Sequence, residues 1–334
     1  MALKRGYVGT ALGRAKSVFT IHNLAYQGRM PKRLMDELGL PWDLFTPIGV
    51  ELFDTLCFMK AGLTFADALT TVSPTYAKEI QGPDEGYELD GLLRSRARSL
   101  HGILNGIDTG EWNPESDPHL PARFSHDDIS GKELCKRELF QRLGMRLPQG
   151  KIEAPLFVFV TRLADQKGID LLLASLPHLL REDVFVAGLG SGEARFEDGL
   201  RWIKGSYPEK FGLKIGYDNA FAHLLEAAGD FFLMPSRYEP CGLNQMYSLR
   251  YGTVPIVRAT GGLQDTVTDL SEGSGTGIKF GEYSANALMT AMGRAQMLFA
   301  NKRQLSEVRR RGMRKDFSWE ASARKYEALY RSLV

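Results

Sequence analysis

The sequence has only three cysteines, Cys57, Cys135 and Cys241, and it has no apolar run long enough to cross a membrane. An odd number of widely spaced cysteines argues against a disulfide framework and indicates a reducing compartment. The longest apolar runs, such as APLFVFV at 154–160, are far shorter than the roughly 20 residues of a membrane-spanning helix. The N-terminal stretch has no apolar core followed by a cleavage site, so it is not predicted to be a secretory signal.

Charge of either sign is not in excess, because 42 basic and 40 acidic residues leave a net charge of +2. This balance argues against the strong positive field that is typical of nucleic-acid-binding proteins. The basic run EVRRRGMRK at 307–315 is local and predicts the solvated face of a late helix. We therefore expect neither a nucleic-acid partner nor a membrane partner.

Short β-type runs alternate with helical patterns, which predicts an α/β fold with parallel sheets flanked by helices. At about 150 residues per domain, the length indicates two domains. The first series of predicted strands lies at 17–21, 68–72 and 102–104. A polar, proline-bearing connector follows at 108–131, with His119 and His126 expected in solvent. The second series is longer, with strands at 155–160, 184–188, 213–217, 231–235, 254–257 and 277–280.

Helix signals fit between these strands. Ser73 is a predicted N-cap, with Pro74 at the first helical position. Residues 167–180 predict an apolar-faced helix bent at Pro177. Residues 219–229 predict a helix that runs from an asparagine cap to a C-terminal glycine.

Ligands of open parallel sheets bind beyond the carboxyl ends of the strands. In the second series, that rim carries Arg162, Lys167, Tyr217, Glu239 and Gly242. The two cations suit a phosphorylated ligand, because arginine holds phosphate oxygens with a planar fork and lysine acts as a point charge. A helix predicted to begin near Gly242 offers backbone N–H groups to an anion, and Tyr217 offers a ring to a base. Each feature alone has an ordinary structural explanation, and only their convergence predicts a site.

Six segments, in this order, closely resemble the bacterial and plastid glycogen/starch synthases: HNLAYQG (22–28), KAGLTFADALTTVSPTYAKEI (60–80), LNGID (104–108), TRLADQKGIDLL (161–172), PSRYEPCGLNQMYSLRYGTVPIVRATGGLQDTV (235–267) and DFSWEASARKYEALY (316–330). The resemblance covers nearly all of the chain from about Ser17 onward. It implies the α/β fold of GT-B type, with two facing Rossmann-like domains. The implied first domain, on the acceptor side, is residues 1–148 with a returning helix at 318–334, and the second, nucleotide-sugar-binding domain is 149–317.

The resemblance also implies the activity, which is retaining transfer of glucose from ADP-glucose to the non-reducing end of an α-1,4-glucan. Matching the family's motifs, Glu239 and His22 would contact the donor glucose, and Arg162 and Lys167 would hold the diphosphate. The remaining implied substrate-binding residues are Asn23, Asn105, Tyr217, Cys241, Gly242, Leu243, Thr260, Gly261 and Gly262. ADP-glucose is a substrate in this scheme, so no cofactor and no metal is expected. A bacterial cytoplasm is the implied location, with a plastid as the alternative.

One departure from the family pattern keeps a second hypothesis open. Family members begin with a lysine-containing KxGGL loop that contacts the ADP phosphates, and these 334 residues contain no such loop. The sequence is therefore interpreted as a synthase with a truncated N-terminal domain. It is either an active glucan synthase or a catalytically impaired remnant that binds nucleotide or glucan. A sucrose or trehalose-phosphate synthase fits EPCGL and HNLAYQG less well, and a dehydrogenase would need a glycine fingerprint that is absent.

Overall fold

The computed structural model describes residues 8–147 and 152–334. The chain divides into two units, the first comprising Met1–Asn105 and Ser322–Val334 and the second comprising Gly106–Ala321. The domain boundary expected between 148 and 149 lies outside the described residues. The units divide instead between Asn105 and Gly106, so that 106–147 belong with the second unit.

The first unit contains two small sheets. The parallel sheet has the order β1-β5-β6, with β1 at Val18–Ile21, β5 at Ala68–Thr71 and β6 at Leu100–Gly102. The antiparallel sheet has the order β2-β4-β3, with β2 at Arg29–Pro31, β3 at Glu51–Leu52 and β4 at Thr55–Cys57. The sixth strand lies two residues earlier than the predicted strand at 102–104.

The helices of the first unit are short, at Ala11–Arg14, Leu34–Glu37, Phe58–Phe65, Pro74–Glu79 and Asp90–Ser95, and 3₁₀ turns lie at Trp42–Leu44 and Ala97–Ser99. The predicted N-cap is confirmed, since the hydroxyl of Ser73 accepts from the backbone N–H of Tyr76 at 3.1 Å. The last helix, Trp319–Leu333, contributes Leu329 to a cluster with Ala68 and Ile103.

The second unit is built on one parallel sheet of six strands in the order β12-β11-β10-β7-β8-β9. The strands are β7 (Leu156–Leu163), β8 (Phe185–Gly192), β9 (Phe211–Ile215), β10 (Phe231–Met234), β11 (Val254–Arg258) and β12 (Ile278–Phe280). Helices cover both faces, so the strand interiors are continuous apolar runs rather than alternating ones. After β9 the chain returns to the other side of β7, which makes the β7–β10 junction the topological switch point at which such sheets bind ligands.

The helices of the second unit lie at Gly131–Leu143, Ile169–Leu179, Ala194–Ser206, Asn219–Ala228, Asn244–Arg250, Gly261–Thr266, Ala285–Ala300 and Lys302–Met313, with 3₁₀ turns at Asp165–Lys167 and Leu270–Glu272. One predicted cap is wrong by a residue, because the carboxylate of Asp218, not Asn219, accepts from the N–H of Phe221. None of the described helices is long and apolar enough to cross a bilayer. All three cysteines are buried with free thiols.

The segment predicted as a polar connector packs tightly onto the second unit. The ring of Trp112 stacks between those of His223 and Tyr247, with both centroid distances at 3.8 Å. The buried carboxylate of Asp117 accepts from the hydroxyl of Tyr251 at 2.5 Å and lies 2.7 Å from His223 Nδ1. These contacts explain why 106–147 fold with the second unit.

Buried ion pairs fix two helices against the sheet. Both carboxylate oxygens of Asp230, at the start of β10, are used: one accepts from Lys136 at 2.7 Å and the other from Arg309 at 2.5 Å. Burial raises the pKa of Asp230, but the two cations outweigh it and lower that pKa to about 2. Removal of Asp230 would leave the buried charges of Lys136 and Arg309 without this carboxylate, and loss of one partner of a buried ion pair costs about 3–5 kcal/mol.

Lys132 gives the second unit a pH-dependent stability. Its ammonium donates to Ala227 O, Tyr251 O and Thr253 Oγ1 at 2.8–3.0 Å, and burial lowers its pKa from 10.5 to about 7. Between those two values the unfolded chain binds more protons at this site than the folded chain, so this contribution to stability rises with pH.

We therefore expect the free energy of unfolding of the wild type, relative to Lys132→Met, to rise above pH 7 by up to about 1.4 kcal/mol per pH unit. Urea unfolding at pH 7, 8 and 9 measures this difference. The exposed Lys315→Met serves as the control. A difference that stays constant across this range would contradict the assignment.

Candidate active site

The switch point of the six-stranded sheet brings two loops together. The loop after β7 forms the 3₁₀ turn Asp165–Lys167, and the loop after β10 carries Glu239. Because β7 and β10 are neighbouring parallel strands, both loops leave the same edge of the sheet. The backbone N–H of Arg237 donates to Gln166 O at 2.9 Å and joins the two loops directly.

Glu239 lies at the centre of this edge. Its side chain is nearly buried, and its Oε2 accepts from Lys167 Nζ at 2.6 Å and from the hydroxyl of Ser236 at 3.0 Å. Both of these bonds go to Oε2, which leaves Oε1 as the carboxylate oxygen available to a ligand. Lys167 has three N–H donors, so it can hold Glu239 and a phosphate oxygen at the same time.

Arg162 lies within the C-terminal part of β7, which extends further than predicted, to Leu163. The guanidinium of Arg162 is exposed and donates to Gln166 Oε1 at 3.0 Å. Since Gln166 precedes Lys167, this bond joins the two cations to one turn. Lys167 and Glu239 are thus bonded directly, and Arg162 is connected to the same turn through Gln166.

The loop after β11 packs against the Glu239 turn with no room for side chains. The N–H of Gly262 donates to Glu239 O and Pro240 O at 3.1 and 3.2 Å. A Cβ atom on Gly261 would lie 1.9 Å from Glu239 O, and Gly261 also has a φ of +43°. Glycine is required here because the two backbones are in contact. Thr260, just before, is buried.

Cys241, Gly242 and Leu243 form the turn between β10 and the next helix. The prediction that a helix opens at Gly242 is wrong by two residues: the helix is Asn244–Arg250, and Gly242 precedes it with a φ of +70°. Cys241 is buried, whereas Leu243 is partly exposed. The turn itself, rather than a helix terminus, therefore presents backbone groups at the sheet edge.

A cavity of about 280 Å³ opens beside Arg162, between the ends of β7, β8 and β9. Gly190, Gly216 and Tyr217 line it, and Tyr217 is 89% exposed. At its rim, a hydrogen bond from Lys214 lowers the pKa of Asp218. The wall is mainly apolar and backbone, which suits the flat face of a base next to the cationic end of the site.

The three remaining predicted residues lie in the first unit. His22 and Asn23 follow β1, and Asn105 lies beyond β6, so all three lie at the carboxyl edge of that unit's parallel sheet. His22 is exposed, and the side-chain oxygen of Asn23 accepts from the N–H of Ala25 at 3.0 Å.

Sequence analysis missed several polar residues that hold the site in place. Gln166 joins Arg162 to the Lys167 turn, and Ser236 supports Glu239. The side chain of Asn244 donates to Val160 O at 2.6 Å and ties the next helix to β7. All three lie inside the quoted family segments, but an uncharged side chain gives no electrostatic signal. Across 8–147 and 152–334, no group of three or more His, Cys, Asp or Glu side chains is arranged to hold a metal ion.

Family models match both units. The model described as the starch synthase catalytic domain matches residues 1–95, and the model of group 1 glycosyl transferases matches 149–296. A glycogen synthase of Myxococcus xanthus (strain DK1622) is 61% identical over 335 residues, covering 100% of this chain and 69% of that relative. The chain belongs to the glycogen synthase family. It is a glycosyltransferase.

Solved structures agree with this membership. The catalytic domain of Starch Synthase IV from Arabidopsis thaliana, bound to ADP and acarbose, matches with a TM-score of 0.90 at 34% identity, over 96% of this chain and 67% of that one. The predicted GT-B fold class is thereby confirmed. A sucrose-phosphate synthase from Thermosynechococcus elongatus matches with a TM-score of 0.57 at 22% identity, over 82% of this chain and 60% of that one, and it shares the fold alone.

Proposed function

We propose that this glycogen synthase family member transfers glucose from ADP-glucose to the non-reducing end of an α-1,4-glucan, with retention of configuration and without a metal or cofactor. The observation that carries the proposal is the ion pair of Lys167 and Glu239 at the switch point, with Arg162 bonded through Gln166 to the same turn. One carboxylate and two cations suit a ligand that has a sugar at one end of a diphosphate. The Arabidopsis relative supports a nucleotide and carbohydrate ligand, since it is bound to ADP and acarbose.

The proposed roles follow from charge. Glucosyl transfer passes through an oxocarbenium-like state, so positive charge develops on the sugar and negative charge on the departing phosphate. Glu239 would stabilise the positive charge on the sugar through Oε1, while Lys167 and Arg162 would stabilise the negative charge on the phosphate. Such preorganised groups act most strongly in a water-poor site. Adenine would lie against Tyr217, in the cavity beside Arg162.

Retention is proposed to proceed without a covalent glycosyl intermediate, because the described part of the sheet edge has one buried carboxylate rather than a facing pair. A double-displacement glycosidase holds its two carboxyl groups about 5 Å apart. Here the side chain of Glu239 is bonded to Lys167 and Ser236. Attack by the acceptor on the face that ADP leaves would retain configuration, with a phosphate oxygen taking the acceptor's proton. His22 and Asn105 are proposed to contact the sugar, and Asn23 the same substrate.

Incorporation of labelled glucose into glycogen tests the function itself. The chain is expected to transfer label from ADP-glucose, and a parallel reaction with UDP-glucose measures donor preference. Binding of ADP without transfer would instead support the remnant hypothesis. Absence of both binding and transfer would overturn the proposal.

Lys167→Ala tests the diphosphate role. A charged hydrogen bond contributes about 1.5–3 kcal/mol, so the Kd for ADP is expected to rise about 10- to 100-fold. Isothermal titration of ADP into the variant, the wild type and the exposed-lysine control Lys315→Ala provides the comparison. An ADP affinity equal to that of the wild type would remove Lys167 from the phosphate site.

A further inference from the structure

Two groups of the second unit donate hydrogen bonds to all four backbone carbonyls of the Glu239–Gly242 turn. The N–H of Gly262 lies 3.1 Å from Glu239 O and 3.2 Å from Pro240 O. The side-chain amide nitrogen of Gln245 lies 3.1 Å from Cys241 O and 3.0 Å from Gly242 O. The acceptors of this turn therefore all face the body of the second unit.

The opposite side of the turn consequently presents donors. In a trans peptide the C=O and the following N–H point in opposite directions, and the described chain has no cis peptide bond. The N–H groups of Gly242 and Leu243 share peptide units with the two carbonyls that Gln245 holds. Within residues 8–147 and 152–334, neither N–H has a hydrogen-bond acceptor. Both are thus available to an oxygen of a ligand beside Glu239.

We propose that Gln245 is a positioning residue that aims the amides of Gly242 and Leu243 at an oxygen of the sugar nucleotide. This inference rests on the proposed function. Gln245 is fully buried and acts through the turn rather than by contact with substrate. Its amide nitrogen also lies 3.1 Å from Thr266 Oγ1, and Thr266 donates to Gly262 O at 2.6 Å. Thr266 therefore connects both donors that hold the turn.

The chemistry of the amide group explains why glutamine is needed. The glutamine NH₂ has two N–H donors, which the three acceptors Cys241 O, Gly242 O and Thr266 Oγ1 share. Methionine has a similar length but no donor, and a glutamate carboxylate would place acceptor oxygens against the two carbonyls. Both changes keep the approximate side-chain volume but remove the hydrogen bonds that orient the two peptide planes.

Gln245→Met is expected to raise the Kd for ADP-glucose at least about tenfold. The reason is that the N–H groups of Gly242 and Leu243 would no longer be oriented to donate to the ligand. Isothermal titration with ADP-glucose and with ADP separates the two possible oxygens. A loss confined to ADP-glucose assigns the amides to the sugar, and an equal loss for ADP assigns them to the diphosphate. Either result supports the proposal. Thr266→Val should give a smaller loss for the same ligand, and it carries the test if Gln245→Met does not fold.

The exposed Gln304→Met is the matched control and should bind both ligands as the wild type does. If Gln245→Met and Thr266→Val fold and bind both ligands with wild-type affinity, the positioning role is overturned while the proposed function stands. A wild-type chain that fails to bind ADP-glucose overturns the proposed function, and this inference with it. The two failures are therefore distinguishable in one set of titrations.

Discussion

Glu239→Gln is expected to lower kcat for glucosyl transfer about a thousandfold, the upper end for loss of one preorganised electrostatic group. The substitution keeps the size of the side chain but removes the charge that faces the developing cation on the sugar. Because this interaction strengthens in the transition state, kcat should fall far more than the affinity for ADP-glucose. Transfer of labelled glucose to glycogen under saturating donor measures the effect.

Glu209→Gln is the matched control for this prediction. Glu209 is exposed on the second unit, and its side chain forms a surface ion pair with Arg146 at 3.5 Å. Surface pairs contribute about 0–1 kcal/mol, so transfer by this variant should equal that of the wild type. Retention of more than a tenth of wild-type kcat in Glu239→Gln would exclude an electrostatic role of this size.

Gly261→Ala is expected to lower kcat about a hundredfold, because a displacement near 1 Å at a reacting group has an effect of that order. The new Cβ would lie 1.9 Å from Glu239 O, so the Glu239 turn or the β11 loop must shift. The positive φ of +43° adds strain for any side chain. Overpacking of this kind should also reduce the free energy of unfolding by about 1–3 kcal/mol.

Gly293→Ala separates local displacement from a general effect of adding a methyl group. Gly293 lies inside the helix Ala285–Ala300, and a Cβ there would meet no atom within 4 Å. This control should keep full transfer activity and gain slightly in stability, since alanine favours helices over glycine by about 1 kcal/mol. Equal activity of Gly261→Ala and Gly293→Ala would show that the close backbone contact does not position Glu239.

Much of the fold could be predicted from the sequence because the second unit is a regular parallel sheet. Its buried strands are continuous apolar runs, and each predicted strand overlaps an observed one. The domain boundary could not be predicted, because the proline and polar residues of 108–131 are typical of an exposed connector. The contacts of Trp112 and Asp117 with the second unit leave no local pattern in the sequence. Local sequence propensity contains no information about contacts between residues more than a hundred positions apart.

The charged part of the site was also predictable, since the carboxyl ends of parallel strands meet at one edge. Glu239 and Lys167 are 72 residues apart in sequence, yet their side chains form a bonded pair. The supporting residues were not predictable, because Gln245, Gln166 and Ser236 act through hydrogen bonds to backbone or to a neighbouring side chain. Their residue types are common in surface loops, and only the geometry distinguishes them.

A crystal structure with a non-transferable ADP-glucose analogue, such as the 2-fluoro sugar, tests the central claim most directly. We expect a sugar hydroxyl within about 3.2 Å of Glu239 Oε1 and diphosphate oxygens within the same distance of Lys167 and Arg162. A sugar bound away from Glu239, or a diphosphate that contacts neither cation, would contradict it.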